Sequence, residues 1–167
     1  APDERAFVTE LFYGILRNRT RLDAWIGSLR KGELDSRTRQ CLRIGLHQIF
    51  HLRVPDHAAV NETVKIAGRS RSLVNAVLRR AVRERARLEA QMESAPLALR
   101  FSHPPFLVER WIGRLGEEPA AALCRWNNAP APLHVRVNTL KVTPKELASS
   151  LPESEPVAFH PSALRVP

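Results

Sequence analysis

Three groups of residues in this 167-residue chain have the types and spacing to do chemistry. His47 and His51 stand four positions apart, so a helix carries both on one face, a spacing at which two imidazoles can hold a metal. The zinc-protease pattern also needs a glutamate directly after the first histidine, and Gln48 stands there. No cysteine or carboxylate nearby completes a ligand set, so no metal is expected and the pair reads as bundle or interface histidines. Cys41 and Cys124 have no motif around them and read as two buried thiols of a cytoplasmic protein. The third group is arginine. Arg17, Arg19 and Arg21 fall within five residues, and Arg79, Arg80, Arg83, Arg85 and Arg87 recur at helical spacings. A guanidinium fork matches phosphate oxygens well, so these positions could contact a polyanion. The alternative is a solvated helix face tempered by Glu84 and Glu89.

Bulk charge bears on that choice. The net charge is +9, and arginine supplies 22 of the 26 basic residues. Residues 1–100 hold 19 Lys and Arg against 11 Asp and Glu, whereas residues 101–167 hold 7 against 6. Any polyanion-facing surface therefore belongs mainly to the N-terminal portion. The apolar fraction of 44% supports a folded core, and no apolar run is long enough to span a membrane.

The elements that must position these side chains follow from periodicity. Residues 3–17 carry Phe7, Leu11 and Ile15 on one face with Val8, Phe12 and Leu16 beside it, which predicts a helix central to a bundle. Leu22, Trp25, Ile26 and Leu29 form a second stripe, ended by Lys31-Gly32. Leu42, Leu46, Ile49 and Phe50 make a third, and Pro55 stops that helix and suits the start of the next. Val60, Val64 and Ala67 define the fourth, with Gly68 in the left-handed position past its end. Ser70 or Ser72 then offers an N-cap for a helix bearing Leu73, Val77 and Ala81.

After Glu93 the pattern changes. Pro96 and Ser102-His103-Pro104-Pro105 mark a linker and a new helix with Phe106, Leu107, Trp111 and Leu115, closed by Gly116. Pro119 starts another through Trp126. Leu133 to Asn138 alternates apolar and polar as a strand does. Thr143-Pro144-Lys145-Glu146 is a capping box for a helix through Leu151, and 157–159 and 163–166 read as short strands. The expected fold is mainly α: an all-helical bundle over 1–95, then linker helices and a small α+β subdomain over 96–167.

Tyr13-Gly14-Ile15-Leu16-Arg17, Leu22-Asp23, Leu46 to Phe50, Val54-Pro55 and His57-Ala58-Ala59-Val60-Asn61-Glu62 resemble the NusB-type helical domain, and Leu73 to Arg80 resembles its closing helix. Ser102-His103-Pro104, Trp111, Asn127-Asn128, Pro132 and Arg136-Val137-Asn138-Thr139 are similar to the segment that follows this domain in Sun/RsmB-type enzymes. Those enzymes are S-adenosylmethionine-dependent methyltransferases of carbon 5 of a cytosine in small-subunit ribosomal RNA.

The resemblance implies an RNA-binding N-terminal region serving a catalytic domain that this chain lacks. The family's catalytic cysteines sit in Pro-Cys and Thr-Cys settings, but Cys41 follows Gln40 and Cys124 follows Leu123, so no catalytic residue is expected here. No glycine-rich loop follows a strand, so no cofactor is expected in this chain, S-adenosylmethionine belonging to the full-length enzyme. The chain opens inside a helix without an initiator methionine and reads as a fragment, inactive alone. Expected phosphate contacts are Arg17, Arg19, Arg21, Arg79, Arg80 and Arg83, with Arg136 in the Arg-Val-Asn strand. The expected partners are small-subunit ribosomal RNA and the missing catalytic domain, with no membrane. The alternative is a NusB-type antitermination or RNA–protein assembly module with a protein partner.

Overall fold

A computed structural model describes residues 2–158 and 160–166. The chain divides into two compact units, residues 1–128 and residues 129–167, so the first extends well past the change of pattern at Pro96.

The first unit is helical: α1 (Pro2–Arg17), α2 (Arg19–Leu29), α3 (Ser36–His51), α4 (Asp56–Ile66), α5 (Arg71–Arg83), α6 (Arg85–Glu93), α7 (Leu97–Arg100), α8 (Pro105–Leu115) and α9 (Glu117–Asn128). Its breaks are largely local chemistry. Pro55 caps α4, Pro105 opens α8, and Gly68 takes φ +57 past the end of α4. Asp35 caps α3 by accepting from the Thr38 backbone N–H at 2.9 Å. Ser70 precedes α5 but makes no side-chain cap bond, because its hydroxyl lies 2.5 Å from the Thr38 hydroxyl instead. α9 starts two residues before Pro119, which the first helical turn tolerates.

The central helix is α3, which corrects the expectation that α1 holds that place. Leu42 and Leu46 are fully enclosed, packed with Leu22, Trp25, Val74 and Leu78 of the neighbouring helices. α1 instead lies at the margin, with Phe7, Val8, Phe12, Tyr13 and Leu16 exposed. Apolar residues all round a helix show only that no face is strongly polar, and α3 meets a neighbour on more sides. Two glycines allow the tightest approaches. A Cβ at Gly14 would lie 2.2 Å from His47 Nε2, and one at Gly45 would lie 2.4 Å from Leu78 Cδ1. Buried polar groups on α3 are mostly answered: Arg43 donates to Asp23 through Nε at 2.8 Å and Nη2 at 2.6 Å, and Gln48 donates to the Thr63 hydroxyl at 3.3 Å.

α7 to α9 form a second apolar cluster around Leu97, Val108, Ala120 and Cys124. The turn after α7 is tied back to α2 by the Arg21 backbone N–H, which donates to the Ser102 hydroxyl at 2.9 Å.

The second unit holds β1 (Leu133–Arg136), α10 (Pro144–Ser150), β2 (Glu155–Pro156) and β3 (Ala163–Val166), in an antiparallel sheet of order β1-β3-β2. The Thr143–Glu146 capping box forms as expected, and its hydrogen bonds hold the Glu146 carboxyl below its ordinary range. The strand expected over 157–159 lies earlier. Glu155 and Pro156 pair with β3, and Val157 begins the turn that returns to it, its N–H bonding the Ala163 carbonyl at 3.1 Å. An outer strand accommodates the missing donor of Pro156. Phe159 lies outside the described residues.

The histidines are core groups. The His47 and His51 rings lie 5.0 Å apart, and among the described residues neither nitrogen of His47, nor Nε2 of His51, has a hydrogen-bond partner. Burial, with Arg17 adding, pushes His47 down to about 4. Burial, with His47 and Arg21 adding, pushes His51 down to about 3. In the unfolded chain both titrate near 6.5. The unfolded chain thus takes up protons that the folded chain refuses, so stability is full above about pH 6.5 and falls as pH drops toward 4 and 3. For His47 alone the loss at pH 5 is about 2 kcal/mol. Urea midpoints measured from pH 8 to pH 5 should stay level and then fall, with a shallower fall in His51→Phe. A level profile throughout would contradict the neutral pair.

Candidate nucleic-acid interface

Pairing decides which arginines remain for a ligand. On α5 and α6, Arg80 donates through Nε to Glu84 at 2.6 Å and through Nη1 to the Leu29 carbonyl at 2.8 Å. Arg87 takes the other Glu84 oxygen at 2.5 Å, and hydrogen bonds from both arginines hold the Glu84 carboxyl below its ordinary range. Arg85 pairs with Asp56 at 2.5 Å and lies over the Phe50 ring. Those three positive charges are therefore met by protein groups.

Arg79 and Arg83 are different. Both are exposed; Arg79 makes only a neutral bond to Asn75 Oδ1 at 2.9 Å, and Arg83 has no hydrogen-bond or ion-pair partner among the described residues. Standing four apart on α5, they line a groove of about 500 Å³ against α4, together with Asp56, His57, Val60, Asn61 and Val82. Val60 is buried and Val82 half-buried. The groove thus has apolar sides and an uncompensated positive edge. Sequence reasoning missed His57 and Asn61, although their spacing of four, facing a second helix with the same spacing, was a readable signal.

The other expected contacts are scattered. Arg17 is half-buried with a loose approach to Glu10 at 3.8 Å. Arg19 is exposed in the first turn of α2, with no partner among the described residues. Arg21 is turned inward: it lies over the Trp25 ring at 5.8 Å, donates to the Arg100 carbonyl, and has its Nε buried without a partner. Burial first and Arg100 second lower its basicity. That side chain braces α2 against the end of α7 and presents little of its fork to solvent. Arg136 is exposed on β1, in the second unit.

Cys41 and Cys124 are buried free thiols in the two apolar clusters, and burial pushes both thiols up, away from the thiolate form a nucleophile needs. Among the described residues no group of three or more metal-ligating side chains occurs, and no helix is long and apolar enough to cross a membrane.

Comparison with known proteins gives this arrangement a family setting. Residues 1–83 match the NusB family, and residues 103–167 match the Methyltr_RsmF/B-like, ferredoxin-like domain. The chain therefore carries a NusB-family domain followed by an RsmF/B-like ferredoxin-like domain. It is similar to the ribosomal RNA small subunit methyltransferase B of Pseudomonas putida, 36% identical over 81% of this chain and 32% of the relative. The probable ribosomal RNA small subunit methyltransferase B of Synechocystis sp. is 34% identical over 92% of this chain and 37% of its own length. That of Bacillus subtilis is 34% identical over 88% of this chain and 35% of its own length. The chain thus spans about a third of the length of these curated relatives.

The pairing pattern predicts opposite outcomes for neighbouring arginines. Arg80→Ala should lower the melting temperature by about 2–4 °C through loss of the Leu29 carbonyl bond. Arg83→Ala should leave it within about 1 °C. Thermal denaturation followed by circular dichroism distinguishes them, and equal shifts would contradict the assignment of Arg80 to the fold.

Proposed function

We propose that this chain is the RNA-binding N-terminal region of an S-adenosylmethionine-dependent ribosomal RNA cytosine-C5 methyltransferase. The observation that carries the reading is the uncompensated pair Arg79 and Arg83 on a helix of the NusB-family domain, in a chain that continues into an RsmF/B-like domain. The relatives named ribosomal RNA small subunit methyltransferase B support ribosomal RNA as the polyanion. Residues 1–95 supply most phosphate contacts through Arg17, Arg19, Arg79 and Arg83, with Arg80 nearby and Arg21 bracing the fold. Residues 96–167 form the subdomain next to the catalytic region and add Arg136. The role is positional: the bound RNA is held so that a cytosine reaches residues outside this chain. The setting is cytoplasmic.

S-adenosylmethionine would supply the methyl group, but the described residues do not fit it. The sheet is antiparallel, and all seven glycines precede its first strand, so no strand–glycine loop–helix cradle exists among them. The role proposed for this chain is RNA binding.

One observation favours a second reading, a NusB-type assembly module. The exposed apolar residues Phe7, Val8, Phe12, Tyr13 and Leu16 on α1 suit a protein partner better than RNA. Capture of a defined ribosomal or transcription protein with no direct RNA affinity would favour it.

A salt titration of binding to a small-subunit ribosomal RNA fragment tests the main reading. Affinity should fall steadily with salt, and Arg79→Glu/Arg83→Glu should reduce the log–log slope by about 2, one for each lost phosphate contact. Salt-independent affinity, or an unchanged double variant, would remove this interface.

A further inference from the structure

We infer that the groove between α4 and α5 receives one unpaired RNA nucleotide, its base lying on Val82 above Val60, and its phosphate and the neighbouring one on Arg79 and Arg83. The inference rests on the RNA-binding reading and deepens it: the interface reads an unstacked base as well as the backbone. Its size comes first. About 500 Å³ lies in the range of small-ligand sites, roughly 300–1,000 Å³. A surface built only to track phosphates needs no such recess.

The lining is divided by chemistry. Val60 closes the floor of the groove, and the half-buried Val82 gains nothing from a phosphodiester, whereas the flat face of a base buries apolar area against it. Asn61 offers both a donor and an acceptor, His57 adds a ring nitrogen, and neither side chain has a partner among the described residues. These are the groups that answer a base edge. Asp56 would oppose a phosphate, but Arg85 already neutralises it at 2.5 Å. The remaining charge on the groove is that of Arg79 and Arg83, which match one phosphate and its neighbour.

A duplex is a poor occupant. Its bases are stacked within the helix and present only their edges, so it could meet the arginines but not the valines. An acidic peptide could also meet the arginines, but it has no planar group for the apolar sides. The occupant that uses every part of the lining is a single-stranded or looped nucleotide.

The test uses the full 167-residue chain and fluorescence anisotropy at one fixed salt concentration. The probes are a short unpaired ribosomal RNA oligonucleotide, the same sequence as a duplex, and a series in which each base in turn is removed. The unpaired strand should bind about tenfold tighter than the duplex, and one base-free position should cost about tenfold. Val82→Phe, which fills the recess without changing charge, should abolish the contrast between the intact and base-free strands. Asn61→Ala, at an exposed position, should weaken the intact strand and leave the base-free strand unchanged. Equal binding of strand and duplex, or a flat series with RNA affinity retained, overturns base insertion while leaving the RNA-binding reading in place. No RNA affinity in the unaltered chain overturns both, and tighter binding of an acidic peptide than of the RNA overturns the nucleotide.

Discussion

The helical unit depends on the near-complete enclosure of α3. A helix with neighbours on most sides cannot leave its polar groups to water, so each must be met inside the protein or kept uncharged. Arg43 is met by the two-pronged bond to Asp23, Gln48 by Thr63, and Thr38 by Asp35 and Ser70. His47 has no such partner among the described residues and stays neutral, against Gly14 of α1, where no side chain intervenes. Losing Asp23 would strand a buried guanidinium, which is far worse than losing both members of the pair. The fold is thus fixed in register by polar bonds set within an apolar seam.

The same logic sorts the arginines. Where α5 meets α6, carboxylates and a helix-end carbonyl take the guanidinium groups within reach. Glu84, at the break between α5 and α6, binds Arg80 and Arg87 together, and Asp56 binds Arg85. Of the arginines between residues 79 and 87, what survives is a pair of cations one helical turn apart beside an apolar recess. The uncompensated edge of the groove is defined by subtraction.

How much of this could be read from the sequence depended on the range of the interaction. The Thr143–Glu146 cap, the left-handed Gly68 and the starts at Pro55 and Pro105 involve neighbours within a few residues, and all occur where their motifs stand. The mainly helical fold followed from periodic stripes alone. The place of α1 did not, because all-round apolarity does not say how many sides are covered. β2 was misplaced because Val157 continues an apolar stretch by composition, while its backbone already turns back toward Ala163. The candidate site was half legible: Arg79 and Arg83 were named, but Arg80 sits between them and looks identical until the Leu29 carbonyl is seen beside it. Arg21 shows the same limit, since only the fold reveals Trp25 and the Arg100 carbonyl as its partners.

The marginal position of α1 has a consequence for how the unit breathes. Among its residues whose burial is described only Gly14 is buried, while five large apolar residues lie open to solvent. Such a helix separates from the rest at a lower free-energy cost than global unfolding, whereas α3 opens only when everything does. The domain therefore has a graded rather than uniform cooperativity, with its first helix as the outermost foldon. Detachment of that helix would bring water to His47 and erase the cause of its depressed basicity, so protonation and local opening are two faces of one equilibrium.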